Sequence, residues 1–183
     1  EYEVGSVTVV RGQEEKQTSV NGVSPEYETI RNITPVMGEF ISQDHVNKRS
    51  RVAILGANVA KSLFEADEYP LGQTIKVNGI PFVVIGVLDK KGQSGFGGNM
   101  DNSLLAPITT AQTRLGSAGA FRGDLIVSTI YVQVDTPENM EAVSQRVTEL
   151  MRERHRLGEG YEDDFTIINQ AQLLQFANSI TAG

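Results

Sequence analysis

Apolar residues fall into short alternating or continuous runs over the first two-thirds of the chain and into helix-spaced runs over the last third. Val7, Val9 and Val10, then Thr18 and Val20, flank a polar stretch from Arg11 to Lys16, which predicts two strands around an exposed turn. Residues 24–38 scatter Tyr27, Ile30, Ile33 and Val36 among turn formers with no single period, the pattern of a short helix and loop. Residues 51–55 are predicted as a short buried strand, and Gly56 lets the chain turn into a helix over residues 57–64 with Val59, Ala60, Leu63 and Phe64 on one face. Residues 74–77 and 81–87 sit on either side of Asn78-Gly79, a dipeptide suited to the positive φ angles of a type I′ turn, so a β-hairpin is predicted.

Between residues 91 and 102 lie Gly92, Gly95, Gly97 and Gly98, and this stretch is expected to be a mobile loop. Residues 103–107 return to strand character, 109–115 read as a short helix, and 116–123 as a second loop. In the last third, residues 126–134 are predicted as a strand with Ile130, Val132 and Val134 on one side. Thr136-Pro137 then starts a helix whose Met140, Val143, Val147, Leu150 and Met151 recur at helical spacing up to His155. A further strand is expected over 164–168, and Asn169 is placed to cap a final helix carrying Leu173, Leu174, Phe176, Ala177 and Ile180. Strand, helix and strand in this order make a βαβ-like unit. The fold class is therefore α+β in two lobes: residues 1–23 with 124–183 as an α/β lobe, and 24–123 as a central β-rich lobe. No internal repeat is visible in the residues.

Composition narrows the chemistry. The 183 residues carry 16 Lys+Arg against 23 Asp+Glu, a net charge of −7, with no basic cluster beyond Lys48-Arg49 and Lys90-Lys91, so nucleic-acid binding is disfavoured. The absence of cysteine excludes disulfides, thiol catalysis and cysteine metal sites. The longest apolar run, residues 80–88, is far short of the ~20 residues that span a bilayer. The opening Glu1-Tyr2-Glu3 lacks signal-peptide character and an initiator Met, which reads as a processed or excised piece.

Candidate active sites fail one by one. Gly92 and Gly97 meet the outer spacing of a phosphate-binding loop, but Gly98-Asn99 stands where Lys and Ser or Thr are required, and a strand follows instead of a helix. Asn99, Asp101 and Ser103 alternate like calcium-loop ligands without the glycine and glutamate that complete such a loop. Ser94 lacks the nucleophile-turn spacing, and Asp44 beside His45 makes a poor orienting pair. His155 is accounted for by the helix C-terminus, and Asp163-Asp164 by solvent exposure. No catalytic, cofactor or metal constellation is left. The residues best placed to contact a partner are those of the Gly-rich loop, Phe96, Gly97, Asn99, Met100 and Asp101, because an aromatic tip on a glycine-rich stretch docks at little steric cost.

Several stretches carry a resemblance. They are Asn21-Gly22-Val23-Ser24-Pro25-Glu26-Tyr27, Met37-Gly38-Glu39-Phe40, Val52-Ala53-Ile54-Leu55-Gly56 leading to Leu63-Phe64, and Pro70-Leu71-Gly72-Gln73-Thr74-Ile75. Pro81-Phe82-Val83-Val84-Ile85-Gly86-Val87, Pro107-Ile108, Arg152-Glu153-Arg154-His155 and Asp164-Phe165 follow in order. From about Asn21 to Phe165 the chain resembles the extracytoplasmic core domain of MacB-type ABC transporter permeases, within the larger FtsX/LolC-like group. The resemblance implies a porter-like lobe from both chain ends, here N-terminally short, and a β-rich central lobe. It also implies a non-catalytic domain on the periplasmic or outer face of the bacterial cell membrane, anchored and dimeric in the full-length permease although monomeric alone. Such a domain has no cofactor of its own. Its partners would be an ATP-binding subunit or domain and a periplasmic adaptor or envelope protein. The alternative kept open is a stand-alone extracytoplasmic module that senses a peptide or lipid.

Overall fold

The structure, a computed structural model, describes residues 1–91, 99–116, 120–121, 124–169 and 172. The chain divides into two compact units, Glu1–Tyr131 and Val132–Gly183.

In the first unit, β1 (Tyr2–Arg11) and β2 (Glu14–Val23) form a hairpin, and β5 (Thr74–Val77) and β6 (Ile80–Leu88) form another. The predicted Asn-Gly turn is present, with φ of 46° at Asn78 and 80° at Gly79. The first hairpin is longer than the sequence indicates. Gly12, at φ 59°, permits a tight turn, and the ladder runs on to Arg11 opposite Glu14, through residues whose polar side chains gave no strand signal. Between the hairpins lie α1 (Tyr27–Ile30), β3 (Pro35–Gly38), α2 (Gln43–Asn47), β4 (Val52–Leu55) and α3 (Ala57–Leu63). After β6 come β7 (Ser103–Pro107) and α4 (Ile108–Thr110), which continues as a π turn over Ala111–Leu115. Strand β3 was not legible in the sequence because its side chains are largely exposed and its pairing to β6 is made by backbone alone.

These strands form one seven-stranded sheet in the order β3-β6-β4-β7-β2-β1-β5, and β5 also pairs with β6. Six strands thus close a ring, with β3 added to β6. Parallel pairing adds β7 to β2 and β4 to β6, and the two three-stranded groups are joined by the antiparallel pairs β4–β7 and β1–β5. Within this unit β1 and β2 belong to the same sheet as the central strands, while Glu1 and Glu3 also bond to Thr129 and Ser128. Local patterning cannot see a pairing such as Ser19 with Ser103, which is set by burying Val20 and Leu104 together.

Inside the ring, Val7, Val9, Val20, Leu55, Ile75, Val77, Phe82 and Leu104 are all nearly or fully buried, joined by Val59 and Leu63 of α3. Neighbouring residues point the other way. Ile54 and Leu105 pack with Val23, Tyr27, Ile33, Phe40, Ile41 and Met100 in a second cluster. Burial on both faces is why β4 and β7 read as continuous apolar runs. The arrangement is also repeated. Each hairpin is joined in parallel by a third strand that leads into a helix, and the third strands are exchanged: β4 follows the first hairpin and pairs with the second, whereas β7 follows the second and pairs with the first. The repeat lies in topology and leaves no repeat in the residues.

Residues 126–131 are not the predicted strand. Ile126 and Ile130 are exposed, and the backbone of Ser128 and Thr129 bonds to Glu1. Beside them Tyr131 meets the buried Tyr27 edge to face at 5.6 Å, with the Arg31 guanidinium 4.6 Å from its ring. Short strands β8 (Ala120–Phe121) and β9 (Asp124–Leu125) pair with each other.

In the second unit, Pro137–Asn139 makes a 3₁₀ turn into α5 (Met140–His155), where the sequence predicts a helix, and Arg156 ends it at φ 58°. The strands expected over 132–134 and 164–168 are absent. A strand needs a ladder partner; among the described residues none is offered, and Val132 and Ile168 stay exposed. The βαβ unit is therefore represented by its helix. The predicted cap at Asn169 is present, with reciprocal bonds between Asn169 and Gln172, but the rest of the final helix lies outside the described residues.

Two outcomes test this packing. An alanine Cβ at position 56 would stand 2.2 Å from the Met100 carbonyl oxygen and 2.6 Å from that of Asp101. Gly56→Ala is expected to lower stability by about 1–3 kcal/mol, whereas Gly5→Ala, with nothing near its Cβ, is expected to be neutral in the same thermal melts. Burial, followed by the hydrogen bond and charge of Glu1, pushes the Tyr131 phenol up to about 12. The folded state then keeps a proton that the unfolded chain gives up near pH 10, so this phenol's contribution is complete below pH 10 and is lost as pH rises towards 12. Tyr131→Phe should remove one late step from the tyrosinate absorbance titration and flatten the alkaline fall in stability.

Candidate functional site

The Gly-rich connection between β6 and β7 is the surface that sequence reading singles out, and its stems are built from buried polar groups. The backbone N–H of Lys91 donates to Asp101 Oδ1 at 2.9 Å, joining the two ends of the connection, and Lys91 Nζ donates to the Asn32 carbonyl at 2.5 Å. On the far stem Ser103 Oγ donates to the Asn99 carbonyl at 3.0 Å and stands 3.2 Å from Ser19 Oγ, while Asn58 Nδ2 donates to Asn102 Oδ1 at 3.1 Å. Thr18 Oγ1 donates to the Asn102 carbonyl. Hydroxyl and amide groups from β2 and α3 thus satisfy this corner, which is necessary because Thr18, Asn21, Asp101 and Ser103 are all buried.

This geometry revises the predicted contact set. Met100 is 6% exposed inside the second core, with the Asn21 amide 4.0 Å from its sulfur, and Asp101 is 2% exposed. Neither presents a surface to a partner. Both secure the stem, because a methionine next to Ile54 and Leu105 adds to apolar packing and a carboxylate in this corner accepts the Lys91 N–H. Asn99 is half-buried. Phe96 and Gly97 lie outside the described residues, as do Gly92 and Ser94.

Other residues weighed for chemistry have structural occupations. Ser42 and His45 form a reciprocal capping box on α2, with His45 Nδ1 accepting from the Ser42 N–H at 3.2 Å, and Asp44 pairs with Lys48 at 2.7 Å. His155 Nδ1 lies 2.7 Å from Asp164 Oδ1, with the ring edge-on to Phe165. Arg152 pairs with Asp163 and donates to the Tyr161 and Gly158 carbonyls. Asp163 and Asp164 are therefore not simply solvated; they fasten the return loop to α5. Among the described residues no group of three or more His, Asp or Glu is placed to hold a metal ion.

One feature escaped sequence reading altogether. A cleft of about 150 Å³ is lined by Arg11, Glu14, Lys61, Phe64, Glu65 and Glu68 among others. Within it Arg11 makes a two-pronged pair with Glu68 at 2.8 and 2.9 Å, donates to the Leu63 carbonyl, and lies 4.3 Å over the Phe64 ring. The Arg11 bond holds the Glu68 carboxyl below the usual carboxylate range. Arg11 read as part of an exposed turn, and only its position at the end of an alternating strand, inward-facing by parity, could have marked it.

Comparisons with known proteins place this fold. The family described as the MacB-like periplasmic core domain matches residues 1–150. Relatives include the macrolide export ATP-binding/permease protein MacB of Chlorobium luteolum, 34% identical over 97% of this chain and 25% of that protein. The corresponding protein of Bdellovibrio bacteriovorus is 36% identical over 88% of this chain and 24% of its own length. This chain thus spans about a quarter of the length of these relatives. Among solved structures, the periplasmic region of MacB from Actinobacillus actinomycetemcomitans superposes with a TM-score of 0.74 at 23% identity, covering 97% of this chain and 73% of that one. The extracellular domain of the noncanonic ABC-type transporter YknZ from Gram-positive bacteria gives 0.66 at 20% identity over 88% and 80%. At these identities the structures speak for the fold alone. With a family match over most of its length and relatives above 30% identity, the chain belongs to the MacB-like periplasmic core domain family.

Proposed function

We propose that this chain is the extracytoplasmic domain of a MacB-type ABC transporter permease. In this reading it is non-catalytic, and it passes conformational work from ATP hydrolysis elsewhere in the transporter to an external partner or cargo. The observation that carries the reading is the family match across residues 1–150, with relatives named as ATP-binding/permease proteins. Among the described residues no helix is long and apolar enough to cross a membrane, so anchoring would fall to other parts of the full-length protein. An ATP-binding domain or subunit and a periplasmic adaptor or envelope protein are the proposed partners.

Tagging the full-length gene product in its native cell and identifying what co-purifies from mild detergent tests this reading. Recovery of an ATP-binding subunit or fused ATPase with an envelope protein is the expected result. A product that is soluble and travels alone would favour a ligand-sensing module instead.

Contact through the Gly-rich connection makes a separable prediction. Phe96→Ala is expected to weaken partner capture several-fold without moving the thermal midpoint. Met100→Ala removes a buried side chain and is expected to cost about 2–5 kcal/mol in stability, with capture following only the loss of folded protein. Equal capture by Phe96→Ala and the parent would remove the connection as a docking site.

A further inference from the structure

The ring of the first unit is not uniformly bonded. β1 and β2 share a ladder from Tyr2 opposite Gly22 to Arg11 opposite Glu14, and β2 and β7 pair from Ser19–Ser103 to Val23–Pro107. β5, β6 and β4 are likewise paired along their lengths. By contrast β1 meets β5 only at Val9–Val77 and Val10–Lys76, and β4 meets β7 only at Ile54–Leu105 and Leu55–Leu104. In the ring order these two short joints lie opposite one another, each flanked by three well-paired strands.

Each joint is reinforced from outside its ladder. At the first, the Asn78 N–H donates to the Thr8 carbonyl at 2.8 Å and Asn78 Oδ1 accepts from the Thr8 N–H at 2.9 Å. Arg11, at the end of β1, grips Glu68 and the exit of α3, which issues from β4 in the other half. At the second joint the Gly56 N–H donates to the Ser103 carbonyl at 2.8 Å, and Asn58 reaches Asn102. Val9, Val77, Ile54, Leu55, Leu104 and Leu105 are buried at these joints as elsewhere in the ring, so what sets the joints apart is the shortness of their ladders, with a few polar bonds in place of further ladder bonds.

We propose that the ring works as two half-barrels, β1–β2–β7 and β4–β6–β5, which hinge at the core-locked β4–β7 joint and part at the β1–β5 joint, with the Arg11–Glu68 clasp setting how readily that seam parts. The proposal rests on the coupling function above, for which it supplies the moving parts, but the seams themselves are testable without that function.

Amide exchange on the protein at its full native length is the first test. In Arg11→Ala, and in the milder Glu68→Gln, which keeps the guanidinium over Phe64, the Asn78 amide is expected to exchange about tenfold faster. Amides within the β1–β2 and β5–β6 ladders should stay unchanged. Uniform acceleration, or none at Asn78 in both variants, would overturn the seam. The second test places cysteine pairs in this cysteine-free domain, in a full-length protein whose cysteines elsewhere have been replaced by serine. Val10 faces Lys76 across the seam and Glu15 within its own half. Oxidised V10C/K76C is expected to lower transport-coupled ATP turnover about tenfold, reversibly with reductant, while V10C/E15C leaves it unchanged. Equal turnover in both would overturn the mechanical role of the seams. If the exchange result holds but the parent protein has no associated ATP turnover, the coupling function fails, and with it the role given to the seams, whereas the seams as a property of the barrel stand.

Discussion

Burial of β4 and β7 on both faces is the constraint on which the first unit depends. Leu55 and Leu104 fill the ring, and Ile54 and Leu105, one residue away, anchor the second core under residues 23–41. A register slip of one residue would exchange the two sets, so each core fixes the register that the other needs. Helix α3, the Gly56 socket and the stems of the Gly-rich connection are all positioned by this pair of strands.

Much of this was legible in the sequence where a local rule applied. Asn78-Gly79 specified a turn, residues 52–55 a strand, Pro137 a helix start, and Asn169 a cap, because each acts through its own backbone or immediate neighbours. What stayed hidden depends on distant pairing. β3 has exposed side chains and joins by backbone alone, and the exchange of third strands leaves no trace in residue identities. Residues 126–134 and 164–168 have the alternation of strands but no ladder partner among the described residues, so pattern there ran ahead of structure. In the candidate site, the glycines and Phe96 were conspicuous as composition, whereas the inward turn of Met100 and Asp101 followed only from the second core and the Lys91 bond.

The coupling role proposed above shifts attention from reacting groups to joints. Polar residues that sequence reading weighed for catalysis turn out to cap α2, fasten the end of α5 or bind the stems of a connection. Such placements hold the local shape of the two units. Arg11 is the clearest instance: its stacking on Phe64 and its paired bonds to Glu68 join elements far apart in sequence without extending a ladder.

The exchanged third strands also bear on how the chain reaches this shape. The second hairpin finds its parallel neighbour β4 just before it in sequence, but β2 must wait for β7, with Ser19 meeting Ser103, and no closed ring exists until the chain is complete through Pro107. Contacts of such sequence separation make folding slow and leave apolar strand edges open in the meantime. A chain emerging outside the cytoplasm therefore has a window of vulnerability to aggregation and proteolysis that ends only when its last ring strand is laid in.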